Sequence, residues 1–378
     1  MTCDVVVYGA TGLVGRAVCA RLDEAGAAFA LAGRDVAALH AIADWPHAER
    51  LIAASADPAA LARAFAGARV VVSCAPAAVG EPVLVAALQA GAHYVDVGGD
   101  QAAMHALYER HESTARKAGC VALLGAGVDC ALGDFAAAWA AAYVCGAPGE
   151  RSDGDVIRAE PVPRLADDRP LDDVAISYVF DDLVLSPAGQ RAVFAGLHAR
   201  GLAWRRDRWE PCAPAAETRR VNAGLAMGGE REVSSFPGGD VISVPRHIAS
   251  ARVQTFASTT RKRAAQTALR LLARAMPLVP ARATEALAAY EPAPEDYART
   301  VFAIVAQAKR GFSAAQVIVR GRDLYATSAS IAAWCARELV ARTAGPVGMR
   351  AASELFRPAA ALAELAGIAG LIVEPSFA

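Results

Sequence analysis

Three glycines, Gly9, Gly12 and Gly15, stand at G-x-x-G-x-x-G spacing between an apolar run, Val5 to Tyr8, and a helical pattern carrying Leu13, Val14, Ala17, Val18 and Leu22. Residues of this type at this spacing can cradle a pyrophosphate. Gly9 allows a tight turn out of a strand, Gly12 lets backbone approach the phosphates, and Gly15 lets the next helix lie close to the strand. The opening of that helix, Thr11, Gly12, Leu13 and Val14, offers N–H groups and a positive dipole end to an anion. A second short strand, Phe29 to Ala32, ends in Gly33-Arg34-Asp35. The end of a second strand in such a unit meets the adenosine ribose, where an acid selects the 2′-hydroxyl of NAD and an arginine accepts the 2′-phosphate of NADP. Arg34 therefore points to NADP(H), and Asp35 reads as the N-cap of a helix over Val36–Ala43. Asp57 caps a helix from Ala59 to Phe65 with Pro58 at its first position, and is also a candidate for the adenine edge.

The elements that must position these groups repeat in sequence. Further strands are read at Arg50–Ala54, Arg69–Cys74, His93–Val97 and Cys120–Leu124. Helices are read from Gly80-Glu81-Pro82 to Gly91, over Gln101–Ala118 and over Leu132–Val144. Six strands alternating with helices describe an α/β chain with a Rossmann doubly wound parallel sheet, ordered 3-2-1-4-5-6. Ligands bind beyond the carboxyl ends of such strands. One rim would then collect the Gly9–Gly15 turn, Arg34, the turn Ser73-Cys74-Ala75-Pro76, Gly98–Gly99 and Gly125–Asp129. Ser73, Cys74, Ala75, Pro76, Gly98 and Gly127 are accordingly candidate cofactor contacts.

Length and charge bound the rest. The 378 residues are enough for two domains, and a net charge of −1 gives no reason to expect nucleic acid. The apolar fraction is 55%, but no apolar run reaches the length of a membrane-spanning helix. The eight cysteines are scattered without a C-x-x-C pair, and the seven histidines show no ligand spacing. A reduced protein without structural metal is expected. Strand one follows Met1-Thr2-Cys3-Asp4 so closely that a leader is not expected, which makes the cytoplasm the expected compartment.

Past Gly146 the pattern changes. Gly146–Asp155 reads as a linker, and strand-like stretches follow at 175–180, 241–244, 252–257, 300–308 and 314–320. They predict a second α+β domain built on a mixed sheet. The expected division is 1–130 for the nucleotide domain, 131–325 for a substrate or lid domain, and 326–378 for a C-terminal segment. Thr327–Thr343 reads as a helix, and the tail as a short helix with a final strand or extended segment. Between Thr260 and Ala289 a basic start, Arg261-Lys262-Arg263, precedes a helical apolar pattern through Leu269, Leu271, Leu272, Met276, Leu278 and Val279. It reads as an amphipathic helix, with a flap over a long substrate, a membrane-surface helix or a carrier-protein dock as alternatives.

Several segments together resemble the saccharopine dehydrogenase-like reductases, a family that includes trans-acting enoyl reductases. They are Val7-Tyr8-Gly9-Ala10-Thr11-Gly12-Leu13-Val14-Gly15, Ala32-Gly33-Arg34, Gly80-Glu81-Pro82-Val83 and Ala90 to Asp96. Gly125-Ala126-Gly127-Val128-Asp129, Phe236-Pro237-Gly238-Gly239, Val244 to His247 and Val319 to Thr327 are also similar. The resemblance implies hydride transfer with NADP(H), and return of the C-terminal segment onto the nucleotide domain. It supplies no catalytic side chain. Candidates from the residues are Asp129, to bind a substrate amine, orient a donor or cap a helix; His247, as proton donor; and Tyr325, as donor to an oxyanion. Asp96 ends a buried strand, and Asp100 reads as a cap. Arg246 is the candidate for a substrate carboxylate. The favoured reaction is reduction of a C=N bond or related acceptor. The alternatives are enoyl reduction on a carrier-bound or lipid chain, and an NADP(H)-binding sensor or scaffold without turnover. The expected assembly is a homo-oligomer, a dimer by default.

Overall fold

The computed structural model describes residues 3–147, 156–199, 201–280, 288 and 290–377. Most of the stretch read as a linker, 148–155, lies outside them, as do 281–287 and 289 of the basic–apolar segment.

The first unit alternates as its valine-rich runs and caps require. In order come β1 (Val5–Tyr8), α1 (Leu13–Glu24), β2 (Phe29–Gly33), α2 (Val36–His40), β3 (Arg50–Ile52) and α3 (Pro58–Phe65). Then follow β4 (Val70–Ser73), α4 (Ala77–Gln89), β5 (His93–Asp96), α5 (Gln101–Lys117), β6 (Val121–Leu123) and α6 (Ala131–Val144). Helix α4 begins three residues before Gly80 and carries Pro82 inside it, a correction to the expected start.

The rest of the chain supplies β7 (Asp173–Asp181), α7 (Pro187–His198), β8 (Gly201–Arg205), β9 (Arg208–Cys212), β10 (Thr218–Asn222) and β11 (Glu230–Ser235). Next are α8 (Asp240–His247), β12 (Arg252–Ser258), α9 (Arg263–Ala275), β13 (Val301–Arg310) and β14 (Ser313–Arg322). The chain ends with α10 (Leu324–Ala341), β15 (Gly348–Arg350), α11 (Ala352–Leu355), α12 (Pro358–Ala369) and β16 (Ile372–Phe377).

Two sheets result. The first is parallel throughout, in the order β15-β6-β5-β4-β1-β2-β3. Its order reverses between β1 and β4, which opens the crevice of a doubly wound fold. The seventh strand, β15, was not expected. It is three residues long and joins β6 from more than two hundred residues away in sequence. The second sheet runs β10-β11-β12-β7-β13-β14-β16, with β12 and β7 parallel and the other neighbours antiparallel. The fold is thus α/β with a second, mixed-sheet unit. The C-terminal stretch gives one strand to each sheet.

Helix α6 is the hinge-pin of the packing. Alanine dominates its sequence, which lets it lie close to its neighbours, and eleven of its fourteen residues are buried. One continuous apolar core runs from Val5 and Val72 through Phe135 to Ile304, Val319 and Trp334. The stretch 241–244, expected as a strand, is instead part of α8. Its β-branched run suits a strand, but Asp240 to Pro245 are all buried against α5, α6 and β12, and tertiary packing overrides local preference. Among the described residues no helix is long and apolar enough to cross a membrane.

Candidate functional site

The glycine turn shows a different constraint at each position. Gly9 has φ +84°, and a Cβ there would lie 3.2 Å from the carbonyl carbon of Cys74. The exits of β1 and β4 therefore touch. A Cβ on Gly15 would sit 2.2 Å from the Gly9 carbonyl oxygen, so the helix can approach only without a side chain. At Gly12 a Cβ would meet nothing nearer than that oxygen at 3.4 Å. Gly12 is exposed, is the N-cap of α1, and makes no side-chain cap bond. The free N–H groups of Leu13 and Val14 thus open onto the crevice, with Thr11 half-buried beside them.

Arg34 is exposed at the carboxyl end of β2 and forms no ion pair among the described residues. Gly33 before it is buried. Asp35 caps α2 by accepting from Ala38 N at 2.9 Å, and Asp57 caps α3 by accepting from Ala60 N at 3.0 Å. Ser73 is fully buried, whereas Cys74 and Ala75 are half-buried and Pro76 is exposed. Space above Gly12, an uncapped helix start and an unpaired guanidinium at the ribose position fit a dinucleotide with a 2′-phosphate.

At the other end of the rim the exits of β5 and β6 bring two carboxylates near each other. Asp96 is buried and accepts from Gly98 N at 2.8 Å and from the Tyr94 hydroxyl at 2.9 Å. Burial pushes it up to about 6 against those bonds, and the Asp129 charge adds to the rise. Asp129 accepts from Gly99 N at 3.2 Å. It reaches the open crevice, yet protein on its other sides takes water away and pushes it up to about 6. It does not cap α6, whose N-cap is Cys130 without a side-chain bond. Gly127 is pressed between the two loops: a Cβ there would lie 2.7 Å from Val97 O and 2.9 Å from Asp129 Oδ1.

Tyr325, in the first turn of α10, stands over this end. Burial raises its pKa, and Asp129 is among the charges it feels. Its oxygen accepts from Ser186 N at 2.7 Å, which leaves the phenolic hydrogen free to donate. One turn on, Ser328 Oγ accepts from Val128 N at 3.1 Å and ties α10 to the rim.

His247 and Arg246 belong elsewhere, which corrects both expectations. His247 Nε2 lies 2.8 Å from Oδ1 of Asp134, a fully buried carboxylate that also accepts from Ser353 N at 2.8 Å. Burial opposes ionisation of Asp134, but His247 and the Ser353 bond outweigh it and hold the carboxyl below its ordinary range. Arg246 donates to Glu354 at 3.1 Å and Met349 O at 2.9 Å, and its guanidinium lies 4.1 Å from the centre of the Tyr108 ring. Its Nε and Nη2 are thus used within the fold. Beside this cluster, Tyr178 donates to the buried Asp240 at 2.7 Å. Sequence reasoning missed these pairings because partners sit 62 to 219 residues apart, with no local signal.

Residues 5–123 match a family model described as the saccharopine dehydrogenase NADP binding domain. The nucleotide domain is thus similar to the NADP-binding domains of saccharopine dehydrogenases, and the match supports NADP(H) binding, in keeping with the crevice and Arg34. Saccharopine dehydrogenase (L-Glu forming) from Saccharomyces cerevisiae aligns over 100% of both chains with a TM-score of 0.63 at 14% identity. At that identity the match shows a shared fold, nucleotide and mixed-sheet units together. A nucleoside-diphosphate-sugar epimerase from Pseudomonas aeruginosa aligns over 33% of this chain and 52% of its own, at 23% identity and a TM-score of 0.28, too low to carry an argument. No curated protein matches the sequence.

Proposed function

We propose that the chain is an NADP(H)-dependent oxidoreductase that reduces a C=N (imine) or related small acceptor. The observation that carries this reading is Asp129, a carboxylate open to the crevice at the β6 end of the rim, with no cation paired to it among the described residues. NADPH, when bound, supplies the hydride. The Gly9–Gly15 turn and the start of α1 would hold its pyrophosphate, and Arg34 its 2′-phosphate. Asp129 would hold the cationic nitrogen of the acceptor, oriented by the Gly99 N–H. An iminium already accepts hydride, so the site needs a counter-charge more than a proton donor. Tyr325 has a free phenolic hydrogen for an oxygen on the acceptor. The division at 130 and 325 stands as part of this proposal, with 131–325 shaping the substrate side. The test is NADPH oxidation by an N-methylated cyclic iminium. Turnover that collapses in Asp129→Asn supports the reading, and wild-type rates in that variant contradict it.

One observation favours a second reading, reduction of a C=C bond on a carrier-bound or lipid chain. Leu269, Leu271 and Leu272 of α9 and the nearby Leu278 are 43%, 60%, 53% and 86% exposed. A greasy face of that kind suits a long or tethered substrate. Enoyl thioesters are the corresponding probe.

A further inference from the structure

Helix α9 packs with its two faces reversed. A surface helix ordinarily turns its apolar stripe to the core and its polar side to water. In α9 the polar stripe faces the protein. Gln266, Arg270 and Arg274 recur every fourth residue, and each is held by the mixed-sheet unit. Gln266 is 8% exposed, and its Oε1 accepts from Ser258 Oγ at 3.5 Å. Arg270 reaches Glu232 of β11 at 3.4 Å, and Arg274 donates to Ala215 O at 3.0 Å and Ala216 O at 3.3 Å. At 3.6 residues per turn, Leu272 falls opposite that stripe, with Leu269 and Leu271 on its two flanks. All three are exposed, as are Ala268 and Ala275 between them. Just past the helix, Met276 is buried and fixes the turn, while Leu278 is 86% exposed. At the other end, Arg261 Nη2 donates to Ala226 O at 3.4 Å, beside Leu225, which is 95% exposed.

The charge around this face has one sign. Residues 261–280 hold five Lys or Arg and no Asp or Glu, in a chain whose net charge is −1. Arg261 pairs with Asp181, and Arg270 with Glu232. Lys262 and Arg274 are exposed and have no ion pair among the described residues. The carbonyl oxygens that Arg274 bonds leave its charge uncompensated. The leucines stand on the outer, convex side of a single helix. A ridge of that shape offers no walls to grip a protein side chain, but it can sink among acyl chains while nearby cations attract phosphate head groups.

We propose that α9 is a membrane-surface anchor, whose leucine ridge lies in the head-group boundary of an anionic bilayer and is drawn there by Lys262 and Arg274. The inference goes beyond the reaction proposed above and does not depend on which bond is reduced. The test is sedimentation of the full chain with vesicles of pure phosphatidylcholine, and with vesicles in which about 30% is phosphatidylglycerol. The expected result is binding to the anionic vesicles at least about tenfold stronger than to the neutral ones, with that preference lost in about 0.5 M salt. Leu271→Ser combined with Leu272→Ser should weaken vesicle binding at least about tenfold. Tm and NADPH affinity should not change in that variant, because both side chains already lie in water. In Leu272→Trp, the added indole emission should move to the blue with anionic vesicles, a shift that charge attraction without insertion would not give. Absence of vesicle binding, equal binding to the two compositions, or unchanged binding in the double variant overturns the proposal. So does a dimer in light scattering that the double variant turns into a monomer, which would assign the ridge to a second copy of the chain.

Discussion

Two regions of this molecule hold the same kinds of side chain and use them in opposite ways. Around α6 and α8, Asp134 is paired with His247 and capped by Ser353 N, Arg246 is spent on Glu354 and Met349 O, and Asp240 receives Tyr178. Along the crevice rim, Arg34 and Asp129 are exposed and have no partner of opposite charge among the described residues. The first region joins the C-terminal stretch to both sheets. The second leaves its charges free for something that is not protein. Residue type alone does not separate a working group from a structural one; the presence of a partner does.

The largest effect that could break this contrast is in the filled region. His247→Ala would leave the fully buried Asp134 without its imidazole partner, at a cost of about 1–3 kcal/mol or more. Urea unfolding should show that loss, while the folded variant binds NADPH as the wild type does. A tenfold drop in affinity would instead bring His247 into the site. The rim should behave in reverse. Gly12→Val meets only the Gly9 carbonyl, so the fold should persist, but the side chain would occupy the phosphate space. NADPH affinity should fall on the order of 100-fold, about 2.7 kcal/mol, with little change in Tm. Retained binding would remove the cradle from the account.

Arg34→Ala should cost NADPH roughly 1.5–3 kcal/mol, the range of a hydrogen bond to a charged group, and leave NADH binding almost unchanged. Equal losses for both nucleotides would deny the 2′-phosphate contact. The mildest effect concerns pH. Asp129 titrates at about 6, so its negative charge is present above that value and is lost as pH falls through it. With a permanently cationic iminium, kcat/KM should rise with pH through about 6 and then level off. A profile that falls above this point would make the protonated carboxyl the active form, and would favour proton donation to a C=C acceptor.

Much of the rim was legible in sequence, because backbone conformation there depends on local residue types. Gly9, Gly12 and Gly15 announce the turn, and the caps Asp35, Asp57 and Asp100 are where residue preference places them. Strand order in the first sheet followed from alternation alone up to β6. What was not legible depends on distance along the chain. The pairing of β15 with β6 leaves no local trace in a three-residue strand. Arg246 and His247 looked available because their partners, Glu354 and Asp134, lie more than a hundred residues away. Val241 to Val244 read as a strand from its branched residues, and only burial on several sides makes it helical. The β8–β9 and β10–β11 hairpins fell in sequence with weak alternation, as in Arg208–Cys212, and were not foreseen.

The central claim is that the free charges of the rim belong to an NADP(H) site. Titration of the purified chain with NADPH and with NADH, read by calorimetry, tests it most directly. The account predicts one nucleotide per chain, with NADPH bound much more tightly than NADH. Binding of neither nucleotide, or equal binding of both, would contradict it.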